Sequence, residues 1–200
     1  MQFFLQLEQQ QFPFDHATTQ QSGVVQLFYC STDDGQCETW EPFSGTHSVR
    51  WVNTSRHTIS RPDSIPALEC KAICGWEEFS DAPHPEEHES LGVTLDYNFQ
   101  ENIVSVSCPS QYVVIDGLDI DMNIAEAVSM SANGDKLGGW PHWIQGREYP
   151  NCPECDSEME HLFQIDSNDS LAHIFGDVGC GHVTRCPVHP ETLAFGWACS

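Results

Sequence analysis

Leu162-Phe163-Gln164-Ile165-Asp166 is the stretch on which the fold turns. Its apolar and polar residues alternate from Phe163 onward, the period of a half-buried strand. Sliding the chain by 158 positions lays it, without a gap, on Phe4-Leu5-Gln6-Leu7-Glu8, and the same slide sets Met159 on Met1 and Gly181 on Gly23. Each copy reads as an apolar-Gln-apolar-acid strand, a variable loop, then a strand opened by Gly and ending near a Cys. Val24–Cys30, Ser48–Val52, Asn102–Ser107 and Leu193–Ala198 are further β-rich runs. Met122–Met130 carries an Ile124, Ala125, Val128 stripe, with Asp121 to cap it and Gly134 to end it, and predicts a helix. The expectation is a strand-rich α+β domain over 1–200. In it two related β-units, about 1–71 and 136–200, stand in a pseudo-twofold arrangement, joined by an acidic segment, 72–135.

Charge narrows the functions open to it. Thirty acidic residues against seven Lys or Arg give a net charge of −23. Nucleic acid and anionic membrane both need a basic footprint, so neither is expected as a direct ligand. No apolar run approaches the roughly 20 residues of a membrane span. Met1–Glu8 has no basic start and meets an acid early, unlike a secretory leader. A cytoplasmic protein is therefore expected, with its ten cysteines kept as thiols and metal ligands.

The excess charge is concentrated. Residues 72–135 hold thirteen acids and no base. Such a one-sign face either serves solubility or steers a basic partner. Asp116-Gly117-Leu118-Asp119-Ile120-Asp121 superficially suggests calcium, but it lacks the loop glycine and terminal glutamate of an EF-hand.

Cys152-Pro153-Glu154-Cys155 and Cys186-Pro187-Val188-His189 form the strongest chemical signal. Two short turns, each offering two ligands of a tetrahedral shell, predict a structural zinc-ribbon-like knuckle pair. Cys180-Gly181-His182 leaves the assignment open, since either residue could replace Cys186 or His189. Cys30 and Cys37 suggest a degenerate second knuckle. There is no GxSxG, HExxH or GxxxxGK[ST] motif, so catalytic residues are not assigned and a non-enzymatic protein is expected. The alternatives are a zinc-dependent hydrolase using Cys180, and a structural or regulatory adaptor.

Lys136–Gln145, the CPEC turn, Leu162–Asp166, Gly176-Asp177, Cys186-Pro187 and Ala194–Trp197 resemble the YwqG-like family, a bacterial domain of unknown function. Gln26–Cys30 and Trp40–Phe43 resemble that family's first half. The resemblance spans essentially the whole chain and implies an α+β fold. It also implies that a family segment preceding the first strand is missing or trimmed. Some members resemble toxin-immunity proteins, which implies an inhibitor of a basic protein toxin, such as a nuclease effector of a bacterial secretion system. The expected partner-binding residues are Glu77, Glu78, Asp81, Glu86, Glu87, Glu89, Asp116, Asp119 and Asp121. Trp140 and Trp143 join them as aromatic anchors, unless they close the core within a structural turn.

Overall fold

The computed structural model describes residues 1–12, 23–31, 37–53, 69, 71–79, 81–101, 103–109, 131–167, 170 and 173–200. Strands β1 (Gln2–Glu8), β2 (Gly23–Tyr29) and β3 (His47–Asn53) form one antiparallel meander. A second sheet has the order β6 (Lys136–Leu137), β7 (Glu160–Asp166), β8 (Cys180–Arg185), β9 (Leu193–Ala198). A separate hairpin pairs β4 (Thr94–Asn98) with β5 (Ile103–Ser107). The described residues hold one α-helix, α1, four residues long (His88–Leu91). The fold is therefore not α+β. It is built of antiparallel sheets, because the chain's apolar residues follow a period of two far more than 3.6. The helix expected over 122–130 and the calcium reading at 116–121 lie outside the described residues.

Leu162–Asp166 and Phe4–Glu8 occupy matching places in the two meanders. Both first ladders slip at one residue, between Phe3 and Leu5 and between His161 and Phe163. Beyond the slip, Gln6 faces Gln26 as Gln164 faces His182. This register corrects the ungapped slide. The second strands match two positions earlier, so the counterpart of Gly23 is Gly179, not Gly181. The chemistry agrees: a Cβ on Gly23 would lie 2.9 Å from the carbonyl oxygen of Val52. One on Gly179 would collide with the carbonyl oxygen of Ala198, the counterpart of Val52. Each meander thus needs a glycine where a neighbouring strand's backbone comes close.

The core is shared by both sheets. Leu7, Val25, Leu27 and Tyr29 pack in one buried cluster with Leu162, Phe163, Ile165, Phe175, Val183 and Phe195. Tyr29 meets Phe195 edge-on at 5.9 Å between ring centroids. Matching tryptophans tie the sheets across this core. Trp51 on β3 donates its indole N–H to Pro190 in the β8–β9 loop at 3.0 Å. Trp197 on β9 donates its backbone N–H to Trp40 in the β2–β3 loop at 3.2 Å. No helix among the described residues is long and apolar enough to cross a membrane.

Candidate metal centre and acidic face

The CPEC turn is folded back just before β7. Asn151 bridges Glu158, Cys152 N–H bonds the Ser157 carbonyl at 2.9 Å, and Asp156 N–H bonds the Cys152 carbonyl at 2.8 Å. Asp156 completes the reversal in the left-handed region, at φ 59°. The second turn is the β8–β9 hairpin loop, closed by Cys186 N–H on the Thr192 carbonyl at 3.0 Å. Strand pairing of β7 with β8 therefore brings the two turns together.

One donor atom from each of Cys152, Cys155, Cys186 and His189 lies within 4.8 Å of the others. The Cys155 and Cys186 sulfurs are 3.6 Å apart, and His189 Nδ1 is 3.9 Å from both Cys152 and Cys186. A tetrahedron with metal–sulfur bonds of about 2.3 Å has edges of about 3.8 Å, so the quartet can hold one metal ion. Two backbone N–H groups, of Val188 and His189, point at the Cys186 sulfur at 3.3 and 3.1 Å, as thiolate-binding turns do. Hydrogen bonds from Ser157 hold the Cys155 thiol down at about 6, and the Cys152 and Cys155 sulfurs raise His189. Met159 and Ala194 pack beneath the buried Cys152 and Cys186.

Cys180 and His182 replace neither Cys186 nor His189. Cys180 is wholly buried on β8 and its thiol faces the Ile165 carbonyl at 3.5 Å. Burial, with Asp166 nearby, pushes that thiol far up, so it stays protonated. His182 Nε2 is 3.7 Å away, but burial and Lys136 lower its pKa to about 3. A neutral imidazole beside a protonated, enclosed thiol is a core contact. Cys30 and Cys37 also meet, at 3.6 Å between sulfurs, yet no third metal-binding side chain joins them among the described residues.

A family model for a domain of unknown function, DUF1963, matches residues 1–194. The chain belongs to that family. No curated protein matches it. Membership of DUF1963 names a domain and assigns it no activity.

The acids expected to face a partner divide in two. Glu77, Glu78, Glu86 and Glu89 are exposed. Asp81 and Glu87 of this DUF1963 chain are not, which corrects their assignment to a partner surface. Asp81 accepts backbone N–H groups from Ala82, Ala132 and Trp140 and pairs with Lys136 Nζ at 3.0 Å. Glu87 is 2% exposed and accepts Arg147 Nε and Trp143 Nε1, both at 3.0 Å. Trp143 is buried too, 4.6 Å from the His182 ring, so it closes the core and is no exposed anchor. Trp140 is half-buried. Asp116, Asp119 and Asp121 lie outside the described residues.

Lys136, Arg147 and Gln164 were not singled out from sequence, and they organise this region. Gln164 accepts His142 N–H at 2.7 Å and donates to the Gly134 carbonyl at 2.8 Å, fastening 131–143 to β7. Arg147 also pairs with Glu158. One signal was available: with seven bases among thirty acids, each base is a candidate counterion for a buried carboxylate.

Proposed function

We propose that this DUF1963 protein is a non-enzymatic binding protein that captures a basic protein partner on an acidic groove, with zinc in the Cys152, Cys155, Cys186, His189 quartet serving as a structural clamp. The observation that carries the reading is a groove of about 890 Å³ between β1, β6, β7 and the extended segment 71–79. Its walls bear Glu69, Glu77, Glu78 and Asp135 against Lys71, while Asp81 and Lys136, which also line it, neutralise each other and leave no charge for a partner. Ile73, Trp76 and Phe79 on that segment are 40–52% exposed. Exposed apolar side chains within a net negative field suit a protein surface of opposite charge, with aromatic contacts supplying affinity and charge supplying speed and selectivity. A polyanion would be repelled.

Four protein donors fill a tetrahedral shell and leave no position for a substrate water, which favours a structural ion over a catalytic one. Cys180, protonated and enclosed, offers no nucleophile for the hydrolase reading. The family resemblance gives the binding role its specific form: the partner is a basic toxin, and capture silences it.

The test is reconstitution with the product of a neighbouring toxin gene. Stoichiometric inhibition is expected, with affinity that falls steeply as salt rises. The double variant Glu77→Gln/Glu78→Gln should weaken binding about tenfold, or about 1.4 kcal/mol. An acidic partner, or an affinity indifferent to salt, would overturn the reading.

A further inference from the structure

A second groove, of about 770 Å³, runs along β8 and β9 under the loop Trp40–Phe43. It shares no wall residue with the first. Trp40, Phe43, Trp143, Tyr149 and Trp197 line it, and its charged residues are Glu41 and Glu148. Neither carboxylate has an ion-pair partner among the described residues.

Three features show a built surface. Gly196 on β9 leaves room for the loop: a Cβ there would press on Pro42 at 3.0 Å and on the Trp40 carbonyl at 3.1 Å. Trp40 then stands edge-on to Trp197, 6.4 Å between centroids, with 47% of its surface open. Phe43 is held at φ 63°, a conformation that bulky residues rarely adopt, and it presents a 45% exposed ring at the rim. Strain of this kind persists where the surrounding structure imposes it, and functional surfaces are where it collects.

We propose that this groove receives an arginine side chain of the basic partner, its guanidinium stacking on the open face of Trp40, whose ring stands at 85° to that of Trp197, and bonding Glu41 and Glu148. The inference rests on the reading of the chain as a binder of a basic protein. Arginine fits better than lysine because its planar, weakly hydrated fork stacks on aromatic faces while its N–H edges reach two carboxylates. The protein already makes this contact internally: Arg147 Cζ lies 4.7 Å above the Tyr149 ring in the groove wall, and Arg50 Cζ lies 4.6 Å above Phe28. Burial and the neighbouring Glu41 hold Glu148 above the usual carboxylate range, a strain that an incoming cation relieves.

The probe is the peptide acetyl-Gly-Arg-Gly-amide, titrated into the whole chain and followed by the tryptophan indole N–H signals in NMR. Citrulline and lysine peptides serve as comparisons. Saturable shifts at Trp40 and Trp197 are expected with arginine, and citrulline should bind at least about tenfold more weakly because it keeps the shape and loses the charge. Trp40→Ala and the milder Glu148→Gln should each weaken the arginine peptide by about fivefold, or about 1 kcal/mol. Their melting curves report whether they fold. Equal binding of citrulline, tighter binding of lysine, or no saturation overturns the inference. Loss of peptide binding in Glu77→Gln/Glu78→Gln with none in the groove variants also overturns it, while leaving the acidic-groove reading standing. Arginine binding in the groove without inhibition of any basic toxin has the opposite meaning: the groove assignment holds and the broader reading fails.

Discussion

Cys30 occupies in the β2–β3 hairpin the place that Cys186 occupies in the β8–β9 hairpin: each donates its backbone N–H to a loop-closing threonine carbonyl, Thr46 and Thr192, at 3.0 Å. Each also has a second sulfur at 3.6 Å, Cys37 in one case and Cys155 in the other. Among the described residues, only the second hairpin meets a further turn that completes four donors.

That difference predicts metal content. One equivalent of zinc per chain is expected by elemental analysis, unchanged in Cys30→Ser and lost in Cys152→Ser. Because the ligands come together only in the folded chain, metal binding energy is folding energy. Chelation should therefore lower the melting temperature by more than about 10 °C, given the roughly 10–16 kcal/mol associated with structural zinc in small peptides. Two equivalents would contradict the contrast between the hairpins, and a melt indifferent to chelator would contradict the quartet as a structural clamp.

Lys136 is the counterion of a buried carboxylate, with side-chain exposures of 2% for Lys136 and 9% for Asp81. Lys136→Met should cost about 3–5 kcal/mol in urea unfolding, since it strands the Asp81 charge. Adding Asp81→Asn should recover part of that loss, and the double-mutant cycle gives the coupling. Additive single effects would show that the pair does not act as a unit.

Acid should destabilise the fold through its buried histidines. His182 is lowered to about 3, by burial and then by Lys136, and burial also lowers His161 well below the ordinary range. Both are neutral in the folded chain, whereas the unfolded chain takes up protons below about pH 6.5. The unfolded state then binds more protons, so stability is full above pH 6.5 and falls as pH drops toward 3. The slope is about 1.4 kcal/mol per pH unit for each such group. Urea unfolding between pH 7.5 and 5 should show a shallower decline in metal-loaded His182→Gln than in the parent. Parallel curves would remove His182 from the account.

The matched glycines should respond in order of their clearance. Gly179→Ala drives a methyl onto the Ala198 carbonyl and should cost about 3 kcal/mol or prevent folding. Gly23→Ala, 2.9 Å from the Val52 oxygen, should cost about 1 kcal/mol. Gly181→Ala meets the Phe195 ring at 2.8 Å, a side chain that can shift, and is the useful contrast. A tolerated Gly179→Ala would contradict the register match.

Sequence alone determined what short range can determine. A CxxC and a CxxH turn set their own donor spacing, so the quartet was the preferred set before any pairing was known, and the burial of Cys180 and His182 on β8 then removed them as substitutes. A period of two marked Leu162–Asp166 and Phe4–Glu8 as matching strands, because alternation is a property of the local backbone. Register was not legible, since a two-residue shift between the copies depends on which backbones approach closely enough to demand Gly23 and Gly179. Nor was the fate of each acid. Glu86 and Glu87 are neighbours in one short 3-10 helix, Pro85–Glu87, yet one is exposed and the other sealed against Arg147 and Trp143. Tertiary structure decided that, because a charge is buried only where distant residues arrive to bond it, and Arg147 lies sixty positions away.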